Sequence, residues 1–87
     1  SEYRLDQNYP NPFNPSTTIS FTIPSDGLVT LKVYNSLGEE VSTIEQNYLV
    51  KGTYNLNFNA SGLPSGIYFY RINAGNYSAV KKMVLLR

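Results

Sequence analysis

The 87-residue sequence contains no cysteine, no histidine and no tryptophan. Without cysteine there is neither a disulfide staple nor a thiolate metal site, so stability must come from packing. Without histidine, the commonest general base and the commonest nitrogen ligand for metals are both missing. Charge is sparse as well. Seven Lys and Arg stand against six Asp and Glu, a formal net charge of +1. That is too little to hold a phosphate backbone by charge, and no nucleic-acid partner is expected. No apolar run approaches the length of a transmembrane helix, and no charged-then-apolar signal peptide opens the chain. The chain starts Ser1-Glu2 without Met. It is expected to be the carboxyl end of a longer protein.

What is present favours strands and turns. Tyr, Ile, Val, Thr and Asn are common, and helix formers are scarce. The hydrophobic content of 41% is near the globular average. Residues 1–87 are expected to form one domain: a Pro/Asn-rich opening segment at 1–15, then a β-sandwich at 16–87 that ends in a hairpin at 66–87.

Ser1–Asp6 reads as a linker or a first short strand. Gln7–Pro15, QNYPNPFNP, forbids a helix and a central strand. It predicts a stiff segment whose Tyr9 and Phe13 plug one end of the core. Thr17–Ile23 alternates with Ile19, Phe21 and Ile23 on one face. Leu28–Tyr34 places Val29, Leu31 and Val33 inward, after a turn at Pro24-Ser25-Asp26-Gly27. Asn35-Ser36-Leu37-Gly38 is another turn. Glu39–Glu45 extends around Val41 and Ile44, and Gln46–Lys51 reads as a looser crossing. Thr53–Asn59 alternates again, with Tyr54, Leu56 and Phe58 on one face. With the final hairpin this makes six strong strands, or seven with the N-terminal one. The pattern predicts an all-β, immunoglobulin-like antiparallel two-sheet sandwich. Leu63-Pro64-Ser65-Gly66-Ile67-Tyr68 resembles the turn before a tyrosine corner.

Chemistry is hard to find. Lys32, Lys51, Lys81 and Lys82 are available, but no serine sits in a nucleophile elbow. The acids are Glu2, Asp6, Asp26, Glu39, Glu40 and Glu45. The adjacent pair Glu39-Glu40 would point to opposite faces of a strand. Asp26 with nearby carbonyls is thin support for a calcium ion. Neither an enzyme nor a cofactor is expected. Tyr34, Tyr48 and Tyr77 raise carbohydrate binding, set against the plainer reading that such rings pair across strands and fill sandwich ends.

The terminal stretch is more informative. Two strand-like runs flank Gly75-Asn76, a pair suited to a tight hairpin turn. A two-residue loop predicts Ala74 opposite Tyr77, Tyr70 opposite Lys81, Phe69 opposite Lys82 and Tyr68 opposite Met83. One face then carries Tyr68, Tyr70, Ile72, Ala79, Met83 and Leu85 and reads as core. The other carries Ile67, Phe69, Arg71, Val80, Lys82, Val84 and Leu86. An apolar strip rimmed by cations suits docking. Arg71 and Lys82 laying their stems over it would give the same pattern.

The chain also resembles a known family. Asn8-Tyr9-Pro10-Asn11-Pro12-Phe13-Asn14-Pro15, then Thr17-Thr18-Ile19, is similar to the opening of type IX secretion C-terminal sorting domains, the Por secretion tail. So are Val29–Asn35 followed by Leu37-Gly38, Gly52-Thr53-Tyr54, Leu63–Arg71, and the ending Lys81–Leu86. Flagellar hook-capping proteins carry an immunoglobulin-like domain that is similar at the level of fold. The resemblance implies a non-catalytic export signal at the carboxyl end of a cargo protein. Its implied partners are the outer-membrane translocon and shuttle proteins of type IX secretion, a cell-surface sortase-like peptidase and an N-terminal cargo domain. Its implied destination is the cell surface or medium, by way of the periplasm of a Gram-negative bacterium. The implied recognition residues are Gly66, Tyr68, Arg71, Lys81, Lys82, Met83, Val84, Leu85, Leu86 and Arg87. The last strand is expected to be an edge whose main chain and basic-apolar strip are read by a partner. Two other readings remain: a carbohydrate-binding or spacer module of a secreted glycoside hydrolase, and a hook-cap-like domain that assembles with copies of itself.

Overall fold

Each run of alternating apolar and polar residues becomes a strand. The computed structural model describes residues 2–87. Its strands are β1 (Arg4–Leu5), β2 (Ser16–Ile23), β3 (Gly27–Asn35), β4 (Glu40–Leu49), β5 (Gly52–Asn59), β6 (Gly66–Ala74) and β7 (Tyr77–Leu85). They pair antiparallel in two sheets, one ordered β1-β2-β5 and the other β4-β3-β6-β7. The two sheets form the immunoglobulin-like sandwich that the sequence predicts.

The core follows from the two-residue period. Ile19, Phe21 and Ile23 of β2, Val29, Leu31 and Val33 of β3, and Tyr70 and Ile72 of β6 are all buried in one cluster. Their neighbours along each strand face outward, as the pleat requires.

β4 departs from expectation. Val41 and Ile44 are three residues apart, which a regular strand would put on opposite faces. The β3–β4 register shifts twice, between Leu31 and Lys32 and between Val33 and Tyr34. Each shift adds a residue to β4, and both Val41 and Ile44 end partly buried against the core. The stretch read as a loose crossing from Gln46 stays in the strand as far as Leu49. Just beyond it, the Asp26 carboxylate accepts the Lys51 amide at 2.8 Å and ties the β2–β3 crossing to the β4–β5 crossing.

The opening segment is ordered but not as a simple plug. Phe13 is buried and packs on Phe58, ring centres 6.2 Å apart. Tyr9 does not join it, for its side chain is 81% exposed. The Tyr9 backbone instead exchanges two hydrogen bonds with Thr18, each 3.0 Å. The inward work falls to Asn8, whose amide N–H donates to the Tyr70 hydroxyl at 2.8 Å. That hydroxyl donates in turn to the Asp6 carbonyl at 2.7 Å. The Asn8 side chain donates to the Pro10 carbonyl and to the Thr17 hydroxyl. Burial pushes the Tyr70 phenol up to about 12; the Asn8 amide opposes the shift and the Asp6 charge adds to it.

Candidate recognition surface

The β6–β7 hairpin has the predicted register. Ala74 lies opposite Tyr77, Tyr70 opposite Lys81, Phe69 opposite Lys82 and Tyr68 opposite Met83. Gly75 has φ 58° and Asn76 a negative φ, the sign pattern of a type II′ turn. A side chain at Gly75 would also come within 3.0 Å of the Tyr3 hydroxyl.

This register sorts the ten proposed recognition residues. Tyr68, Met83 and Leu85 are buried and belong to the core. The Tyr68 hydroxyl donates to the Pro64 carbonyl at 2.6 Å, the back-bond of a tyrosine corner. Lys81 and Val84 are half-buried, while Gly66, Arg71, Lys82, Leu86 and Arg87 are exposed. Gly66 has φ 157° with nothing within 4 Å of a would-be Cβ, so its requirement is conformational rather than steric. Arg87 is a latch: its guanidinium donates to the Leu63 and Ala60 carbonyls at 2.7 and 2.9 Å, and its amide donates to the Ser65 hydroxyl.

The last strand's main chain is not the free edge that was expected. The Lys82 carbonyl accepts the Gln7 side-chain amide at 2.6 Å. The Val84 amide donates to the Asn11 side chain, the Val84 carbonyl accepts the Phe13 amide, and the Leu86 amide donates to the Phe13 carbonyl. From Lys82 to Leu86 the opening segment therefore closes the edge. The side-chain rim stays open, with Val80 45% and Leu86 55% exposed.

The outward side of the hairpin continues onto β3. Cross-strand rows read Tyr34–Phe69–Lys82 and Lys32–Arg71–Val80. A groove of about 510 Å³ opens there, lined by Tyr34, Asn35, Ser36, Gly38, Phe69, Arg71 and Val80. Its wall is the β3–β4 turn, which the sequence marked only as a turn. The Asn35 side chain stiffens it, accepting the Leu37 and Glu39 amides at 3.0 Å each. Asx geometry of this kind is the signal that could have singled it out.

Charge on this face is uneven. Lys32 lies 3.3 Å from Glu40. The Glu40 carboxyl is lowered below its ordinary range, first by the Thr43 hydroxyl and then by Lys32. Among the described residues, Arg71 and Lys82 have no acidic partner. Two cations without acidic partners among the described residues, set in an apolar strip, make a surface suited to binding.

Other candidates are dispersed. Tyr34 and Tyr48 sit at β3 rows six residues apart, opposite Glu40 and Leu28, which is roughly 20 Å along a strand. Tyr77 stacks on Tyr3 at 5.0 Å. The three rings thus share no platform. Among the described residues no three His, Cys, Asp or Glu side chains gather as a metal site would need. The outer face of β2 and β5 is a hydroxyl-and-amide ladder, with Ser20 donating to Asn55 at 2.6 Å and Thr22 beside Thr53 at 3.0 Å.

No curated protein matches the sequence well enough to supply a relative. Residues 7–86 match the family described as Secretion system C-terminal sorting domain. The matched span begins in the opening segment that closes the β7 edge and runs through the hairpin to Leu86. This chain therefore belongs to the secretion system C-terminal sorting domain family, the C-terminal sorting signals of type IX secretion.

Proposed function

We propose that this domain is the non-catalytic export address of a larger cargo protein. The outer-membrane translocon and shuttle proteins of type IX secretion read it in its folded form. The cargo reaches the cell surface or medium by way of the periplasm of a Gram-negative bacterium. The observation that carries this reading is the family match over residues 7–86.

Within that role, the accessible part of the terminal hairpin is the recognition surface. Arg71, Lys82, Leu86 and the half-buried Val84 offer side chains to a partner, while Tyr68, Met83 and Leu85 hold the hairpin in shape. Gly66 and Arg87 set the turn and latch that fix the open end of the hairpin. Lys81 lies at the boundary between the two groups.

Placement of the two ends favours the same role. Tyr3 stacks on Tyr77 beside the β6–β7 turn, whereas Arg87 is latched to the β5–β6 loop at the other end of those strands. Cargo joined ahead of Glu2 would leave from the first end, away from the β5–β6 loop. A peptidase that removes the domain intact would cut near or before Ser1, because Tyr3 stacks on Tyr77, β1 pairs with β2 and Leu5 is buried in the core.

The test is a reporter carrying an N-terminal periplasmic signal, expressed in a bacterium with type IX machinery. Fused to residues 1–87 it should appear outside the cell; without them it should stay in the periplasm. Equal export of both would contradict the proposal.

A further inference from the structure

The groove face of the four-stranded sheet carries a square of four outward side chains. Arg71 lies opposite Val80, and in the next row Phe69 lies opposite Lys82. The cations therefore occupy one diagonal of the square and the apolar groups the other. Diagonal neighbours in an antiparallel pair are about 7–8 Å apart. In an extended chain, residues i and i+2 point the same way and are about 6.8 Å apart. The two spacings match.

We infer that this square receives an extended acidic segment of a partner protein, with carboxylates at alternate positions and an apolar side chain beside them. The carboxylates pair with Arg71 and Lys82, and the apolar side chain lies against Phe69 and Val80, with Ile67 and Val84 extending the strip in the next row. Charge complementarity selects the acid. Lys32 on the same face is already neutralised by Glu40, and Arg71 and Lys82 are not neutralised by any described residue. The apolar diagonal selects a polypeptide over an anionic polysaccharide. A sugar ring stacks on a flat, exposed aromatic face, whereas Phe69 is half-buried between its neighbours. The main-chain edge of β7 is closed from Lys82 to Leu86, so the segment lies across the sheet face and does not add as a strand there. This names the partner chemistry of the surface proposed above and rests on that reading.

The experiment uses the purified 87-residue chain and a labelled peptide, Glu-Thr-Glu-Thr-Val-Thr, with its Gln-Thr-Gln-Thr-Val-Thr counterpart. Binding is followed by fluorescence anisotropy at about 50 mM salt, where screening is modest. The Glu peptide should bind about tenfold more tightly than the Gln peptide. The pair Arg71→Gln with Lys82→Gln should remove that preference. The charge-matched pair Thr53→Glu with Asn57→Glu, on the opposite face, should leave it in place. Circular dichroism should show every variant folded. Equal binding of the two peptides, no binding of either, or unchanged preference in the Arg71/Lys82 pair would overturn the inference. So would saturable binding of dextran sulfate through Arg71 and Lys82 in place of the peptide. Each of those results leaves the export role standing, because that role is read by secretion and not by peptide affinity.

Discussion

The two faces of the terminal hairpin come from the same eighteen or so residues, yet they answer to different demands. The inward face, with Tyr68, Tyr70, Ile72, Met83 and Leu85, is sealed in the core. The outward face, with Ile67, Phe69, Arg71, Val80 and Lys82, mixes cations and apolar groups and leaves two charges without acidic partners among the described residues. A sequence motif that spans both faces therefore conflates folding with recognition. In the Gly66-Ile67-Tyr68 run, Tyr68 serves the fold through its bond to Pro64, while the recognition chemistry proposed above lies at Arg71 and Lys82.

That contrast can be broken from its inward side first. Leu85→Ala should cost about 3 kcal/mol, because it empties a fully buried site between the sheets. Urea unfolding should show the midpoint fall sharply, and export should fail with it, through loss of the fold. Tyr70→Phe should cost about 2 kcal/mol, since the Asp6 carbonyl loses its donor and the Asn8 amide its acceptor. This variant also has a pH signature. The native phenol keeps its proton up to about 12. An unfolded tyrosine releases its proton near 10. The native state thus binds more protons over that interval, so this contribution is full below pH ~10 and fades as pH rises toward ~12. Unfolding free energies measured across that range should fall less steeply for Tyr70→Phe than for the parent chain.

Smaller effects sharpen the division. Gly66→Val should cost about 1–2 kcal/mol from backbone strain alone, since nothing stands near its Cβ position. Thermal melts would detect it, and Gly66→Ala should behave in the same way. On the outward face, the charge reversals Arg71→Glu and Lys82→Glu should change unfolding free energy by less than about 0.5 kcal/mol, as exposed sites without specific partners do. Equal destabilisation by inward and outward substitutions would erase the distinction between the faces.

Much of this was legible in the residues. The hairpin register followed from Gly75-Asn76, and the sandwich from strands whose apolar positions alternate, as at Ile19, Phe21 and Ile23. β4 was read too short because Gln46, Asn47 and Tyr48 are exposed one after another and show none of the apolar alternation on which such a reading depends. The closing of the β7 edge by Gln7, Asn11 and Phe13 was missed for a different reason. It rests on contacts spanning more than seventy residues, and no local pattern encodes them. Tyr9 was placed inside on its size, whereas Asn8, small and able to satisfy four neighbours, took the buried place.

The central claim is that a folded domain is recognised through the outward face of its last hairpin. Its most direct test is secretion of a reporter fused to residues 1–87 carrying Arg71→Glu and Lys82→Glu, with the variant domain's fold verified by its unfolding curve. The account predicts a stable domain whose reporter is retained in the periplasm. Normal secretion of that folded variant would contradict it.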